Sequence, residues 1–325
     1  MSDISDIGIA VVGCGYWGKN LVRNFAELGA LRAVVDADPA TANEMGTRFQ
    51  VPVMSLDEAI ASDAIDAIAT ASPAAVHHDI AVRAMESGKS VFVEKPIALS
   101  LSDGEAMQAA AARTGKILMV GHLLQYHPAY RKLRDLVEEG AIGRLKYVYS
   151  NRLSMGKLRT EEDVVWSFAP HDISMILGLV EGEAPSDVAA HSAGIVSDGL
   201  ADSAHLHLTF ASGLKAHVFT SWLHPMKEHR FVAIGETGCL VFDDTKPWAE
   251  KLVSTGYRVA DGPALEKGAV TAIPVEEAEP LKEECAHFLH AVAAGIAPRT
   301  DAHEALAVLR VLKQADKALG KEVEA

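Results

Sequence analysis

Cysteine, aromatic residues and positive charge are all scarce in this sequence. Three cysteines, Cys14, Cys239 and Cys285, are scattered over 325 residues, so neither a disulfide framework nor a CxxC zinc spacing follows. Aromatics make up only 6%, while alanine is plentiful, which suits helices packed through small side chains. Lys and Arg number 30 against 44 Asp and Glu, a net charge of −14. Such a chain is repelled by nucleic-acid phosphates and anionic membrane surfaces, so neither is expected as a partner. No run of 18 apolar residues occurs, which argues against a transmembrane helix. The start, MSDISDIGIAVVG, has two Asp and no basic residue before a short apolar stretch, unlike a signal peptide. A soluble cytoplasmic protein is expected. What is present is a globular composition, 49% apolar and 23% charged, at a length that suggests two domains.

The first part of the chain alternates strand and helix patterns. Apolar runs at 7–12, 31–35, 65–70, 90–93 and 117–120 have the length of buried strands. Between them lie helical patterns: one through Leu21, Val22, Phe25 and Leu28, others at 39–49, 57–61 and near 74–87, and one capped by Ser102 and closed by Gly115. Repeated units of this kind predict an α/β Rossmann domain, a doubly wound parallel sheet over residues 1–121. After a helix at 128–139 the pattern changes. Residues 203–210 and 214–222 alternate with period two around Ala211-Ser212-Gly213, and 230–235 and 239–243 form a second hairpin around Thr237-Gly238. Helices are expected at 281–294 and 302–319. Residues 122–325 therefore read as an α+β domain on a large, mostly antiparallel sheet.

Gly13-Cys14-Gly15-Tyr16-Trp17-Gly18 follows the first strand and opens the first helix, the context that gives G-x-G-x-x-G its meaning. Gly13 permits the tight turn, Gly15 lets backbone approach a pyrophosphate, and Gly18 lets helix and strand pack closely. Asp36 ends the second strand, where a carboxylate accepts from an adenosine ribose and repels a 2′-phosphate; NAD is thus favoured over NADP. Asp38 competes for that role. Cys14 sits beside a helix N-terminus, where a thiol pKa can fall, but reads as a small packing residue.

Glu94-Lys95-Pro96 follows a strand whose carboxyl end faces the ligand crevice of such a sheet. GCGYWG, SPAAVH, GKSVFVEKP and VGHLLQYHPAY, in that order, resemble the Gfo/Idh/MocA oxidoreductases, and PLKEECAHFLHAV with PRTDAHEALAVLRVL is similar to that family's last helices. The resemblance implies an NAD(P)-dependent enzyme acting on carbohydrate hydroxyls, with a homodimer or homotetramer formed through an open sheet face. It implies that Lys95 lies beside the nicotinamide and the reacting hydroxyl, and that His171, in WSFAPHDIS, completes the catalytic pair. Ser167 stands where the family often has an Asp four residues before that histidine, so acid/base work rests on Lys95 and His171. The expected cofactor set is Gly13, Gly15, Tyr16, Trp17, Gly18, Asp36, Thr70, Ser72, His77, Glu94, Lys95 and Gln125.

NRLSMGKLRTEEDVVWSFAPHDIS and SWLHPMKEHRFVAIGETGCLVFDD resemble the branch acting on nucleotide sugars, notably UDP-N-acetylglucosamine and N-acetylglucosaminuronate 3-dehydrogenases. No acidic residue lies between Glu139 and Glu161, whereas Arg144, Lys146, Arg152, Lys157 and Arg159 do. Arginine forks match a diphosphate, so Arg152 and Arg159 are substrate candidates with Lys95, Tyr126, Trp166 and His171. A solvated surface face is the competing reading of the basic stretch, and core packing that of the two aromatics. His205, His207 and His217 share the polar face of the first hairpin, but without HExxH or a matching carboxylate no metal is expected; a solvent, subunit-contact or cleft-lining face is. The expected activity is NAD-dependent oxidation of the C3 hydroxyl of UDP-N-acetylglucosamine. An inositol or simple-sugar dehydrogenase, or a non-catalytic NAD-responsive sensor on the same fold, are the alternatives.

Overall fold

A computed structural model of the chain describes residues 6–156, 158–160, 162–197, 199–260 and 264–321. They form two compact units. The first comprises residues up to Tyr126 together with Glu279–Leu309; the second comprises His127–Ala278 and the segment from Arg310 onward.

The first unit carries a five-stranded parallel sheet in the order β2-β1-β3-β4-β5. Its strands are β1 (Ile9–Val12), β2 (Leu31–Val35), β3 (Ala67–Thr70), β4 (Ser90–Glu94) and β5 (Leu118–Gly121). Its helices are α1 (Gly18–Glu27), α2 (Pro39–Phe49), α3 (Leu56–Ala61), α4 (His77–Glu86) and α5 (Leu101–Thr114). β1, β3, β4 and β5 are buried at every residue, as a sheet covered on both faces requires. The helix starts follow local chemistry. Ser55 and Glu58 form a reciprocal capping box on α3. The cap of α5 is Ser100, not Ser102, because its hydroxyl is the one that reaches the Asp103 N–H.

The domain boundary expected at 121/122 is corrected by the chain's return. Helix α8 (Pro280–Ala294) packs in the first unit, where Phe288 meets Phe25 and Phe92 edge-to-face, with centroids 6.4 and 5.7 Å apart. The Thr300 N–H segment is tied there too: Val120 N–H donates to the Thr300 carbonyl at 2.8 Å. Leu306 and Leu309, at the start of α9 (Ala302–Ala318), lie against Gly104, where an added Cβ would come within 2.8 Å of Leu306.

The second unit carries an eight-stranded sheet in the order β13-β12-β11-β10-β6-β9-β8-β7. Its strands are β6 (Leu145–Met155), β7 (Asp187–Ala193), β8 (Ser203–Thr209), β9 (Lys215–Ser221), β10 (Leu223–Gly235), β11 (Gly238–Asp243), β12 (Leu252–Val259) and β13 (Leu265–Ala272). All pairings are antiparallel except β6 with β9. Ala204, Leu206, Leu208, Ala216 and Val218 are buried on one face. His205, His207 and His217 lie on the other, as period-two alternation predicts. Helices α6 (Pro128–Glu138) and α7 (Val164–Gly178) complete the unit. Asp202 pins the loop after β7, accepting from the backbone N–H groups of Ile195, Val196 and Ser197 and from the buried Trp222 indole.

Candidate active site

The glycine loop separates three physical roles. Gly13 has φ +82°, and a Cβ there would meet the Ser72 nitrogen at 2.8 Å. A Cβ on Gly18 would sit 1.7 Å from the Gly13 carbonyl oxygen, so the helix can start only without one. Gly15 differs: a Cβ would meet nothing within 4 Å. No protein atom demands glycine there, which fits a backbone surface kept bare for a pyrophosphate. Tyr16 and Trp17, 79% and 38% exposed, flank it.

Asp36 reaches back to this loop. One carboxylate oxygen accepts from the Cys14 N–H at 2.6 Å and the other from the Asp38 N–H at 2.9 Å. It therefore fixes the turn. Asp38 is committed to capping α2 through the Ala40 and Thr41 N–H groups and the Thr41 hydroxyl. The Cys14 thiol is buried and pushed up to about 12 by burial and then by Asp36, the opposite of an activated thiol.

The next strand ends continue the cradle. Thr70, at the end of β3, is buried, with its hydroxyl 2.7 Å from that of Ser72. His77 is buried between two carbonyls, its Nδ1 2.9 Å from the Pro96 oxygen and its Nε2 2.9 Å from the Ser72 oxygen. It links the loop after β3 to the one after β4, and burial lowers its pKa against the pull of those carbonyls. Glu94 ends β4. Its carboxylate accepts from the Trp17 indole N–H and, at 3.2 Å, from the Lys95 backbone N–H. It packs over Gly121, where a Cβ would lie 3.0 Å from Oε2. One buried carboxylate thus joins the glycine loop to the residue carrying the candidate catalytic amine. Lys95 is half-buried, and the Lys95–Pro96 peptide is cis.

Gln125 is buried, and its carbonyl accepts from Arg299 at 2.7 Å. Tyr126 is buried in the core of the first unit, its hydroxyl 3.0 Å from that of Thr300 and its ring under Arg299. Burial raises its pKa.

In the second unit His171 lies half-buried on α7, directly after Pro170, whose missing N–H removes one hydrogen bond of that helix. Ser167, one turn earlier, is buried. Asp172 is fully buried and accepts from the Ser150 hydroxyl and from both arms of the Arg152 guanidinium, at 2.7 and 3.1 Å. The Arg152 fork anchors β6 to α7, with a side chain only 11% exposed. Trp166 donates its indole N–H to Asp316 at 2.9 Å and carries Lys313 over its ring, an attachment of α7 to α9. Arg144 and Lys146 share Glu236 at the surface. Arg159 is exposed and pairs with Glu162 at 3.4 Å, an arrangement solvent keeps loose. Lys157 lies outside the described residues.

Sequence reasoning missed a buried acidic group in the first unit. His122 Nδ1 is 2.6 Å from Glu304, and Glu284 on α8 is fully buried. The signal was present: Leu281, Glu284, Cys285, Phe288 and Leu289 follow helical spacing, which places Glu284 in the buried stripe. On the open sheet face His205 Nδ1 lies 3.5 Å from His217 Nε2, and burial with mutual repulsion holds His217 down at about 4. Among the described residues no group of three or more His, Cys, Asp or Glu side chains is placed to hold a metal ion, and no helix is long and apolar enough to cross a membrane.

Residues 7–122 match the oxidoreductase-family NAD-binding Rossmann fold, GFO_IDH_MocA, and residues 130–241 match the GFO/IDH/MocA C-terminal domain. A UDP-N-acetylglucosamine 3-dehydrogenase of Acidithiobacillus ferrooxidans is 28% identical over 212 residues, 65% of this chain and 66% of that protein. A solved structure of the enzyme from that organism covers 96% of this chain and 97% of its own, with TM-score 0.84 at 25% identity. A 2,7-anhydro-N-acetylneuraminate hydratase of Mediterraneibacter gnavus is 26% identical over 252 residues, 73% of this chain and 67% of that protein.

Proposed function

This chain belongs to the Gfo/Idh/MocA family of NAD-binding oxidoreductases, and on that footing we propose that it oxidises the C3 hydroxyl of UDP-N-acetylglucosamine to the 3-keto sugar. The observation that carries the reading is the Glu94 carboxylate, which ties the pyrophosphate loop to Lys95 at the carboxyl end of β4. The likeness to a UDP-N-acetylglucosamine 3-dehydrogenase over nearly the whole chain supports this choice of substrate.

The glycine loop with Tyr16 and Trp17 would hold the pyrophosphate, Asp36 the adenosine ribose, and Thr70, Ser72, His77, Glu94 and Gln125 the nicotinamide end. When bound, NAD supplies the hydride acceptor, nicotinamide C4. Lys95 hydrogen-bonds the reacting hydroxyl and orients it. His171 takes its proton, directly or through Lys95, as the C–H electron pair leaves carbon as hydride and a C=O remains. Arg152, oriented by Asp172, and Arg159 are the arginines for the diphosphate, with Tyr126 and Trp166 on the sugar side. We further propose cytoplasmic location and a homodimer or homotetramer.

A panel of UDP-, dTDP- and GDP-sugars with free inositols and sugars, each with NAD and with NADP, tests the reading through absorbance of the reduced nicotinamide. Turnover of UDP-N-acetylglucosamine with NAD is expected. Turnover of free inositol without competition from UDP-sugars overturns the nucleotide-sugar assignment. Absence of hydride transfer from every substrate overturns the dehydrogenase.

A further inference from the structure

Glu284 presents a carboxyl that this reaction does not use. It is fully buried, and neither of its oxygens has a hydrogen-bond partner among the described residues. Glu94 is the reverse case, buried but accepting from the Trp17 indole and the Lys95 N–H. The two carboxyls lie within electrostatic reach of each other, and Glu304, held by His122, adds a third negative group. Two ionised carboxylates cannot share a dry site cheaply, so the pair retains a proton, and the proton goes to the member without donors.

We propose that Glu284 stays protonated at neutral pH and thereby leaves Glu94 ionised, which makes Glu284 a positioning residue acting through Glu94 on Lys95. The surrounding charges agree. Burial pushes Glu284 well up, and the charges of Glu94 and Glu304 push it further. Glu94 is also raised by burial, but the Trp17 indole, Lys95 and His122 pull it back. The other titratable neighbours of Glu284 are Tyr126 in the turn after β5 and Cys285 on its own helix, both pushed toward their neutral forms. An ionised Glu94 holds the glycine loop through Trp17 and favours the ammonium form of Lys95. The effect on Lys95 rests on the dehydrogenase reading; the placement of the proton does not.

Difference infrared spectroscopy of the whole protein in H2O and D2O at pH 7 reads the carbonyl stretch of a protonated carboxyl. The band is expected in the wild type, retained in Glu94→Gln and lost in Glu284→Gln. Its absence from the wild type, its loss in Glu94→Gln or its persistence in Glu284→Gln overturns the proposal. In turnover, Glu94→Gln moves the alkaline limb of kcat/KM down by about half a pH unit or more, since it removes the carboxylate that favours the ammonium form of Lys95, whereas Glu284→Gln, neutral like the protonated carboxyl it replaces, leaves the limb in place. An unchanged limb in Glu94→Gln, or a displaced one in Glu284→Gln, overturns the action on Lys95. Failure of every sugar to react, with the infrared pattern intact, strikes the dehydrogenase reading alone.

Discussion

Alanine at Gly15 separates cofactor binding from folding. A Cβ at this position meets no protein atom within 4 Å, and the residue does not need a left-handed φ. The folded chain accepts the methyl without strain, while the unfolded chain loses backbone freedom. The expected effect is stabilisation of about 0.4–1 kcal/mol, or about 1–2 °C in Tm for a chain of this size. The same methyl occupies the surface that a pyrophosphate must approach, so NAD affinity should fall at least about tenfold, a loss of about 1.4 kcal/mol. Gly18→Ala is the control. Its Cβ would sit 1.7 Å from the Gly13 oxygen, so backbone must move, at about 1–3 kcal/mol or more. Thermal unfolding of the free proteins and NAD titration by calorimetry give both quantities. A Gly15→Ala protein that melts as early as Gly18→Ala, or that binds NAD as tightly as wild type, refutes the reasoning.

Lys95→Met should lower kcat by about 10²–10⁴-fold if the amine serves proton transfer, with NAD affinity nearly unchanged; single-turnover kinetics and calorimetry check the two halves. Asp172→Ala leaves the Arg152 guanidinium without its bidentate partner, and about 3–5 kcal/mol of stability should be lost; urea unfolding followed by Trp fluorescence measures it. Burial, with Arg152 and Lys227 nearby, holds His229 down at about 4 instead of 6.5. The folded form therefore binds less proton than the unfolded one between those values, so the contribution of His229 is full above pH 6.5 and declines toward pH 4, by up to about 3 kcal/mol. His229→Gln should flatten that part of the stability–pH curve, and an unchanged slope would show that other groups set it.

Much of this protein is legible locally. The positions of the strands of the first unit along the chain follow from apolar runs punctuated by Gly29, Gly88 and Gly115, because period and turn chemistry are properties of neighbouring residues. The glycine loop, Asp36 and Lys95 were legible for the same reason: each stands at a fixed step from a strand end. The basic stretch from Arg144 to Arg159 was not, because its partners come from distant segments. Glu236 lies about 90 residues from Arg144 and pairs with it, and Asp172 reaches Arg152 from α7 across to β6. A local surplus of charge is thus neutralised in three dimensions. The partners of Tyr126 and Trp166 also come from far along the chain, Thr300 for one and Asp316 for the other. The sequence by itself determined the alternation of strands and helices in the first unit and the glycine loop that opens its first helix. Only the tertiary structure decided which charges are paired and that α8 returns to the first unit with Glu284 buried within electrostatic reach of Glu94, since pairing and burial depend on what the rest of the chain brings alongside.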